Sequence, residues 1–167
     1  MEPGAGGRGP TTREQQEATA RAVVLRQLSV MARSREQLRL TLGARGIPDE
    51  VAAAVLDRFE EVGLVDDSAY ADMLVRTQRE QRGLSRRALE KEMRRRGVDE
   101  SAATPALAAI TAEDEFATAL EQARKKARAT RGLERPVRER RIAAMLGRRG
   151  YSVDVVLRAT RTALSDD

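Results

Sequence analysis

The chain has 167 residues with neither cysteine nor histidine, which excludes disulfides, Cys/His zinc sites, thiol nucleophiles and histidine-based catalysis. Its net charge is +5, nearly all its basic residues are arginines, and only 2% of its residues are aromatic. The core must therefore be aliphatic, which suits packed helices. No apolar run could span a bilayer, and the first residues lack the apolar segment of a signal peptide, so we expect a cytoplasmic protein without membrane contact.

Residues 1–13 are rich in glycine, proline and threonine and show no periodicity, which predicts a disordered tail. A first helix is expected from about Glu14 to Ala32. Ser34, followed three residues later by Gln37, predicts a capping box that opens a second helix. The first helix carries Val23, Leu28 and Met31, and Leu38 and Leu42 form an i, i+4 pair on the buried face of the second.

Gly46 followed by Ile47 predicts a Schellman ending for the second helix, and Pro48 suits the first turn of a third. The third helix is predicted to bury Val51, Val55, Phe59 and Val62. A second group of three helices then starts with Asp66 as a cap, continues from Ser85 to Gly97, and ends near Ile110 after a short helix weakened by Pro105. Its first helix carries Tyr70, Met73, Leu74 and Thr77, its second is predicted to bury Leu89 and Met93, and Val98 packs at the end of the second.

A third group is predicted to open at Thr111, to start its second helix at Pro136, and to end that helix at Gly150. Its predicted apolar positions are Phe116, Leu120, Ala123, Ala127, Ile142, Leu146, Tyr151, Val153, Val156, Leu157 and Leu164. The string SREQLRLTLGARGI at 34–47 recurs as SRRALEKEMRRRGV at 85–98. We therefore predict an all-α protein of three tandem three-helix repeats, 14–65, 66–110 and 111–167, in an elongated, curved array.

The second copy of the repeated string has basic residues that the first copy lacks. Arg87, Lys91, Arg94 and Arg95 are placed on the outward face of the helix, where the first copy has Glu36, Leu40, Gly43 and Ala44. Four further arginines recur at the edges of the apolar face and are interpreted as structural, either extending along the edge of the core or pairing with acids such as Glu61 or Asp66: Arg35, Arg45, Arg86 and Arg96. The outward residues are either a solvated face or a contact surface for a polyanion or an acidic protein.

The third repeat continues the basic trend. Residues 123–141 contain nine basic residues against two glutamates. GC-rich coding alone can raise arginine content but does not explain this gradient along the chain, which is typical of a nucleic-acid or nucleoprotein surface. The candidate surface residues of this repeat are Arg124, Lys125, Arg128, Arg131, Arg138, Arg140, Arg141 and Arg148. No P-loop, paired acidic motif or metal-ligand spacing occurs, so we expect no enzyme, catalytic residue, cofactor or metal.

From about Ala18 to Leu164 the chain resembles the RecX family. The most specific segments are GLVDDSAYADMLVRTQREQRG and the SRRALEKEMRRRGV that follows it. The positions that match the family pattern are Gly63, Asp66, Asp67, Tyr70, Ala71, Arg76, Gly83, Leu89 and Gly97. The resemblance implies an all-helical protein that binds the filament of the RecA recombinase on single-stranded DNA and suppresses its ATPase, strand exchange and co-protease activities. It also implies affinity for single- and double-stranded DNA, and a role in recombination, repair and the SOS response. We expect a monomer. The resemblance leaves open whether it binds along the filament or at its end.

The alternative is a direct DNA-binding protein of the helix-turn-helix type, because three-helix units with a basic helix resemble that class. A helix that reads base edges usually places Asn, Gln or Ser among its arginines. The outward face around Lys91 has none of these residues, so the sequence favours a RecA regulator.

Overall fold

A computed structural model describes residues 11–167, which form nine helices and no strand. The predicted all-α class is confirmed. Most of the predicted tail lies outside the described residues, but Arg13 belongs to the first helix, which Thr12 opens with a capping box to Gln15. The helices are α1 Arg13–Val30, α2 Arg35–Ala44, α3 Asp49–Glu61, α4 Asp67–Arg82, α5 Arg86–Arg95, α6 Glu100–Ala108, α7 Ala112–Ala129, α8 Arg135–Arg148 and α9 Val153–Ser165.

The chain divides into two compact units, and the first unit ends at Asp66. Its helices α1–α3 enclose one apolar cluster that includes Val24, Leu38, Leu42, Val51 and Leu56. The predicted place of Val62 on the buried stripe of α3 is wrong, because its side chain is exposed, and Met31 is exposed as well. Each residue follows the last turn of its helix, where the backbone changes direction and the helical spacing no longer applies.

The second unit, Asp67–Asp167, contains two apolar clusters. One cluster joins α4, α5 and α6, and the other joins α7, α8 and α9. In the latter, Ala119, Ala123 and Ala127 of α7 pack with Ala159 and Ala163 of α9, and such small side chains allow the two helices to approach closely. The predicted burial of Val153 and Leu157 is therefore wrong: α9 turns its alanine face inward, and both larger side chains are exposed.

The predicted Schellman endings are present after α2, α5 and α8. After α5, the Val98 N–H donates to the Met93 carbonyl over 3.0 Å and the Gly97 N–H donates to the Arg94 carbonyl over 3.1 Å. Gly97 has φ of 69°, a left-handed conformation that side chains with a Cβ rarely adopt. The same ending follows α3 at Gly63, which the sequence analysis did not anticipate.

The two clusters of the second unit meet through the segments that precede α5 and follow α8. The buried Tyr151 hydroxyl donates to the Gly83 carbonyl over 2.7 Å, and the Ser85 N–H donates to the Arg149 carbonyl over 3.0 Å. Nearby, the Arg86 N–H donates to Glu115 Oε1 over 2.6 Å. The first two hydrogen bonds fix the start of α5 against the end of α8, a contact that we call the α5–α8 joint, and the third connects the start of α5 to α7.

Candidate functional site

The predicted basic residues of α5 fall into two groups. Arg87 and Lys91 are exposed and take part in no ion pair within the described chain. Arg94 is exposed and pairs with Glu90 one turn earlier over 3.2 Å, a kind of surface pair that contributes little to stability. Three of the four predicted residues of α5 are therefore available to a polyanion.

Arg95, the fourth predicted residue, has a structural partner. Its guanidinium donates to Glu92, whose side chain is only 10% exposed, over 2.5 and 3.1 Å. Arg96 donates to the same carboxylate over 2.8 Å and to the Tyr70 hydroxyl over 3.1 Å. The hydrogen bond from Arg95, reinforced by Arg96, lowers the pKa of Glu92 against the opposing effect of burial. The Arg95 side chain is exposed, but its guanidinium is engaged in pairing with a buried acid.

Three predicted residues of the third repeat are held by acids at residues 166 and 167. Arg124 pairs with Asp166 over 2.6 Å, and Arg131 pairs with Asp167 over 2.5 Å. Arg138 pairs with Asp167 as well and also donates to the Ala127 carbonyl near the end of α7 over 2.9 Å. The hydrogen bonds from Arg131 and Arg138 lower the pKa of Asp167. The positive charge of these arginines is largely compensated within the chain.

The remaining predicted residues of the third repeat are accessible. Lys125 makes a surface pair with Glu121 over 3.0 Å. Four arginines are exposed and make no ion pair within the described residues: Arg128 on α7, and Arg140, Arg141 and Arg148 on α8. Most of the predicted basic residues that have no acidic partner in the described chain therefore lie on α5 and α8.

The α5–α8 joint holds the start of α5 beside the end of α8. Arg148 immediately precedes the residue whose carbonyl accepts from Ser85, and Arg87 lies two residues after Ser85. Basic residues of α5 and α8 that are far apart in sequence are thus held near one structural junction. We define the α5–α8 basic surface as Arg87, Lys91 and Arg148.

Neither a metal-binding cluster nor a membrane-spanning helix is found in residues 11–167. No group of acidic residues there could hold a metal ion. No helix in that range is both long and apolar enough to cross a membrane.

Three family models match the chain in consecutive blocks. The first, second and third three-helix domains of RecX match residues 20–59, 66–107 and 113–160. The chain belongs to the RecX family. The Regulatory protein RecX of Streptomyces coelicolor is 46% identical to this RecX-family chain over 148 residues, which cover 89% of the chain and 79% of that protein. That of Thermobifida fusca is 48% identical over 147 residues, covering 88% and 80% respectively.

Solved RecX structures share the fold of this family member. The crystal structure of RecX from Lactobacillus salivarius matches with a TM-score of 0.77 at 19% identity and covers 90% of this chain and 97% of that one. A second crystal structure, of regulatory protein RecX, matches with a TM-score of 0.75 at 26% identity and covers 89% and 74%. The predicted three-helix organisation and the family assignment are confirmed.

Proposed function

We propose that this RecX-family chain is a negative regulator of RecA that binds the RecA filament on single-stranded DNA as a cytoplasmic monomer. Binding would suppress the ATPase, strand-exchange and co-protease activities of the filament. Membership in the RecX family supports the choice of partner. The observation that supports a charged mode of binding is the α5–α8 basic surface, whose residues are exposed and make no ion pair in the described chain.

The α5–α8 basic surface is suited to phosphate groups. Arginine guanidiniums bind phosphate oxygens through paired hydrogen bonds, and the backbone of α5 and α8 is fixed at the joint by hydrogen bonds of 3.0 and 2.7 Å. Such preorganisation reduces the entropy lost on binding. We propose that this surface contacts the DNA in the filament, and that it also binds bare single- and double-stranded DNA.

A titration of the RecA ATPase tests the proposed activity. We expect inhibition at less than one molecule per RecA monomer, because three tandem repeats in one chain offer contacts to more than one subunit. Strand exchange and co-protease cleavage should fall over the same range of concentrations. Undiminished ATPase activity at an equimolar ratio would contradict the proposal.

The role of the α5–α8 basic surface is tested by replacing Arg87, Lys91 and Arg148 with alanine and measuring DNA binding at several salt concentrations. Each lost phosphate contact should reduce the log–log salt slope by about 0.7 to 0.9, so the slope should fall by roughly two if the three side chains contact phosphates. Exposed substitutions of this kind should leave the melting temperature nearly unchanged.

The matched control replaces Arg39 and Arg58 of the first unit with alanine. Arg39 is already paired with Glu36 over 2.7 Å and Arg58 with Glu61 over 3.6 Å. Equal weakening by both variants would show that the charged surface is not localised to α5 and α8. If the variant of Arg87, Lys91 and Arg148 binds filaments more weakly but keeps its salt slope, these three side chains contact protein carboxylates instead.

Direct DNA binding without RecA is the second candidate function. It is favoured by the exposure of Arg87, Lys91 and Arg94 on one helix, α5, because a recognition helix presents such side chains to the DNA groove. Binding to bare duplex DNA that distinguishes one sequence from another would support this candidate. Sequence-independent affinity for bare DNA, together with inhibition of RecA, would support the regulator.

A further inference from the structure

A groove lies between α8 and α9, and its volume is 630 Å³. Such a volume is within the range of specific binding pockets and could admit several side chains. Pro136, Arg140 and Ala143 of α8 line one part of the groove. Leu157, Thr160 and Arg161 of α9 line the other.

Large apolar side chains of α9 are exposed at this groove and beside it. Leu157 is 55% exposed, and Val153, one turn earlier, is 76% exposed. Residues four apart lie on the same side of a helix, so Val153, Leu157 and Arg161 form one stripe along α9. Exposed apolar patches often mark protein interaction sites, and arginine is enriched among the residues that contribute most to binding.

Several polar groups of the groove have no ion-pair or hydrogen-bond partner among residues 11–167. Arg140 and Arg161 are exposed and make no ion pair among residues 11–167, whereas the neighbouring Arg135 is paired with Glu139 over 3.0 Å. The buried Thr160 hydroxyl has no hydrogen-bond partner in that range. The Thr160 oxygen is itself inaccessible, so the groove offers a partner two available guanidiniums and an apolar stripe.

We propose that the α8–α9 groove is a docking site for a protein segment that carries a carboxylate beside an apolar side chain. The inference rests on the proposed function, and we assign the segment to the RecA filament. A carboxylate would accept hydrogen bonds from Arg140 and Arg161, and the apolar side chain would cover Leu157. A nucleic-acid phosphate could use the arginines but would leave Val153 and Leu157 exposed, so the chemistry favours protein over DNA.

The test combines Leu157→Ala with Arg161→Ala and measures binding to RecA filaments and to bare single-stranded DNA. Leu157 is already half exposed, so the variant should fold normally, which a circular dichroism melt verifies. We expect filament affinity to fall roughly tenfold or more, as for central interface residues. Affinity for bare DNA should fall by less than about twofold with its salt slope nearly unchanged, because only one exposed charge is removed and no phosphate contact is assigned to it.

The control variant is Leu40→Ala combined with Arg45→Ala in the first unit, where Leu40 is 57% exposed and Arg45 is exposed. This control should retain filament binding. If the wild-type chain binds filaments and the groove variant binds them equally well, the groove proposal is wrong while the proposed function stands. If the wild-type chain binds no filament, the proposed function itself is wrong.

Two further outcomes would also overturn the groove proposal. A parallel loss of bare DNA affinity and of salt slope in the groove variant would identify the groove as a phosphate site. A wild-type chain that sediments as a dimer, and a groove variant that sediments as a monomer, would identify it as a contact between two copies of this chain.

Discussion

Replacing Gly150 with alanine should destabilise the second unit far more than a typical glycine-to-alanine substitution does. Gly150 follows α8 with φ of 91°, a conformation that costs a residue with a Cβ roughly 1–2 kcal/mol. The added Cβ would also lie 2.5 Å from the Ser85 hydroxyl oxygen and 3.0 Å from the Ala88 Cβ. Both distances are shorter than an ordinary van der Waals contact.

Ser85 cannot move away without a further loss of stability. Its side chain is buried, its hydroxyl accepts from the Ala88 N–H over 3.0 Å as the cap of α5, and its own N–H donates to the Arg149 carbonyl. Loss of such a cap costs about 1 kcal/mol, and overpacking costs a similar amount or more. With the backbone strain, we expect Gly150→Ala to reduce the free energy of unfolding by about 3 kcal/mol.

Gly132→Ala is the matched control. Gly132 belongs to the same unit and has the same φ of 91°, but an added Cβ there meets no atom within 4 Å. The control should lose only the strain, about 1–2 kcal/mol. For a unit of about 100 residues, each kcal/mol lowers the melting temperature by roughly 4–8 °C, so the two variants should differ by about 5–15 °C.

Tyrosine fluorescence provides the assay, because the only tyrosines are Tyr70 and Tyr151 and both are buried in the second unit. Equal melting temperatures for the two variants would refute the packing that we describe at the α5–α8 joint. We also expect Gly150→Ala to weaken RecA inhibition at temperatures where it remains folded, because the joint positions the basic helices. Gly132→Ala should inhibit like the wild-type chain.

Three other substitutions test separate features of the second unit. Gly97→Ala should lower the melting temperature by an amount equivalent to about 1 kcal/mol, and an unchanged value would mean that the end of α5 is wrongly assigned. Tyr151→Phe leaves the Gly83 carbonyl without its buried donor and should cost about 1–2 kcal/mol in urea unfolding; a cost near zero would show that water replaces the hydroxyl. Because the pKa of Glu92 is lowered in the folded state, its stabilising effect is present above the unfolded-state pKa of about 4.3 and is lost as the pH falls through the lower folded-state value. Glu92→Gln should therefore destabilise the unit at pH 7 by about 1–2 kcal/mol and reduce the loss of stability as the pH falls. If the stability of the variant depends on pH as in the wild-type chain, Glu92 does not contribute to acid unfolding.

Local sequence determined where most helices begin and end. Ser34 and Gln37 form their predicted capping box, and Gly97 and Gly150 end their helices in the left-handed conformation. These features involve residues within about six positions of one another, so the required hydrogen bonds are visible in the sequence itself. The all-helical class follows from the same local preferences and from the aliphatic composition.

Tertiary structure decided which basic residues are available and which apolar residues are buried. Arg124 and Arg138 are compensated by Asp166 and Asp167, 42 and 29 residues away, and such distant pairing has no local pattern. Leu157 is exposed because α9 packs its alanine face against α7, a choice that periodicity alone leaves open when both faces are apolar. The Tyr151–Gly83 hydrogen bond joins residues 68 positions apart, so the junction that holds α5 against α8 exists only once the chain has folded.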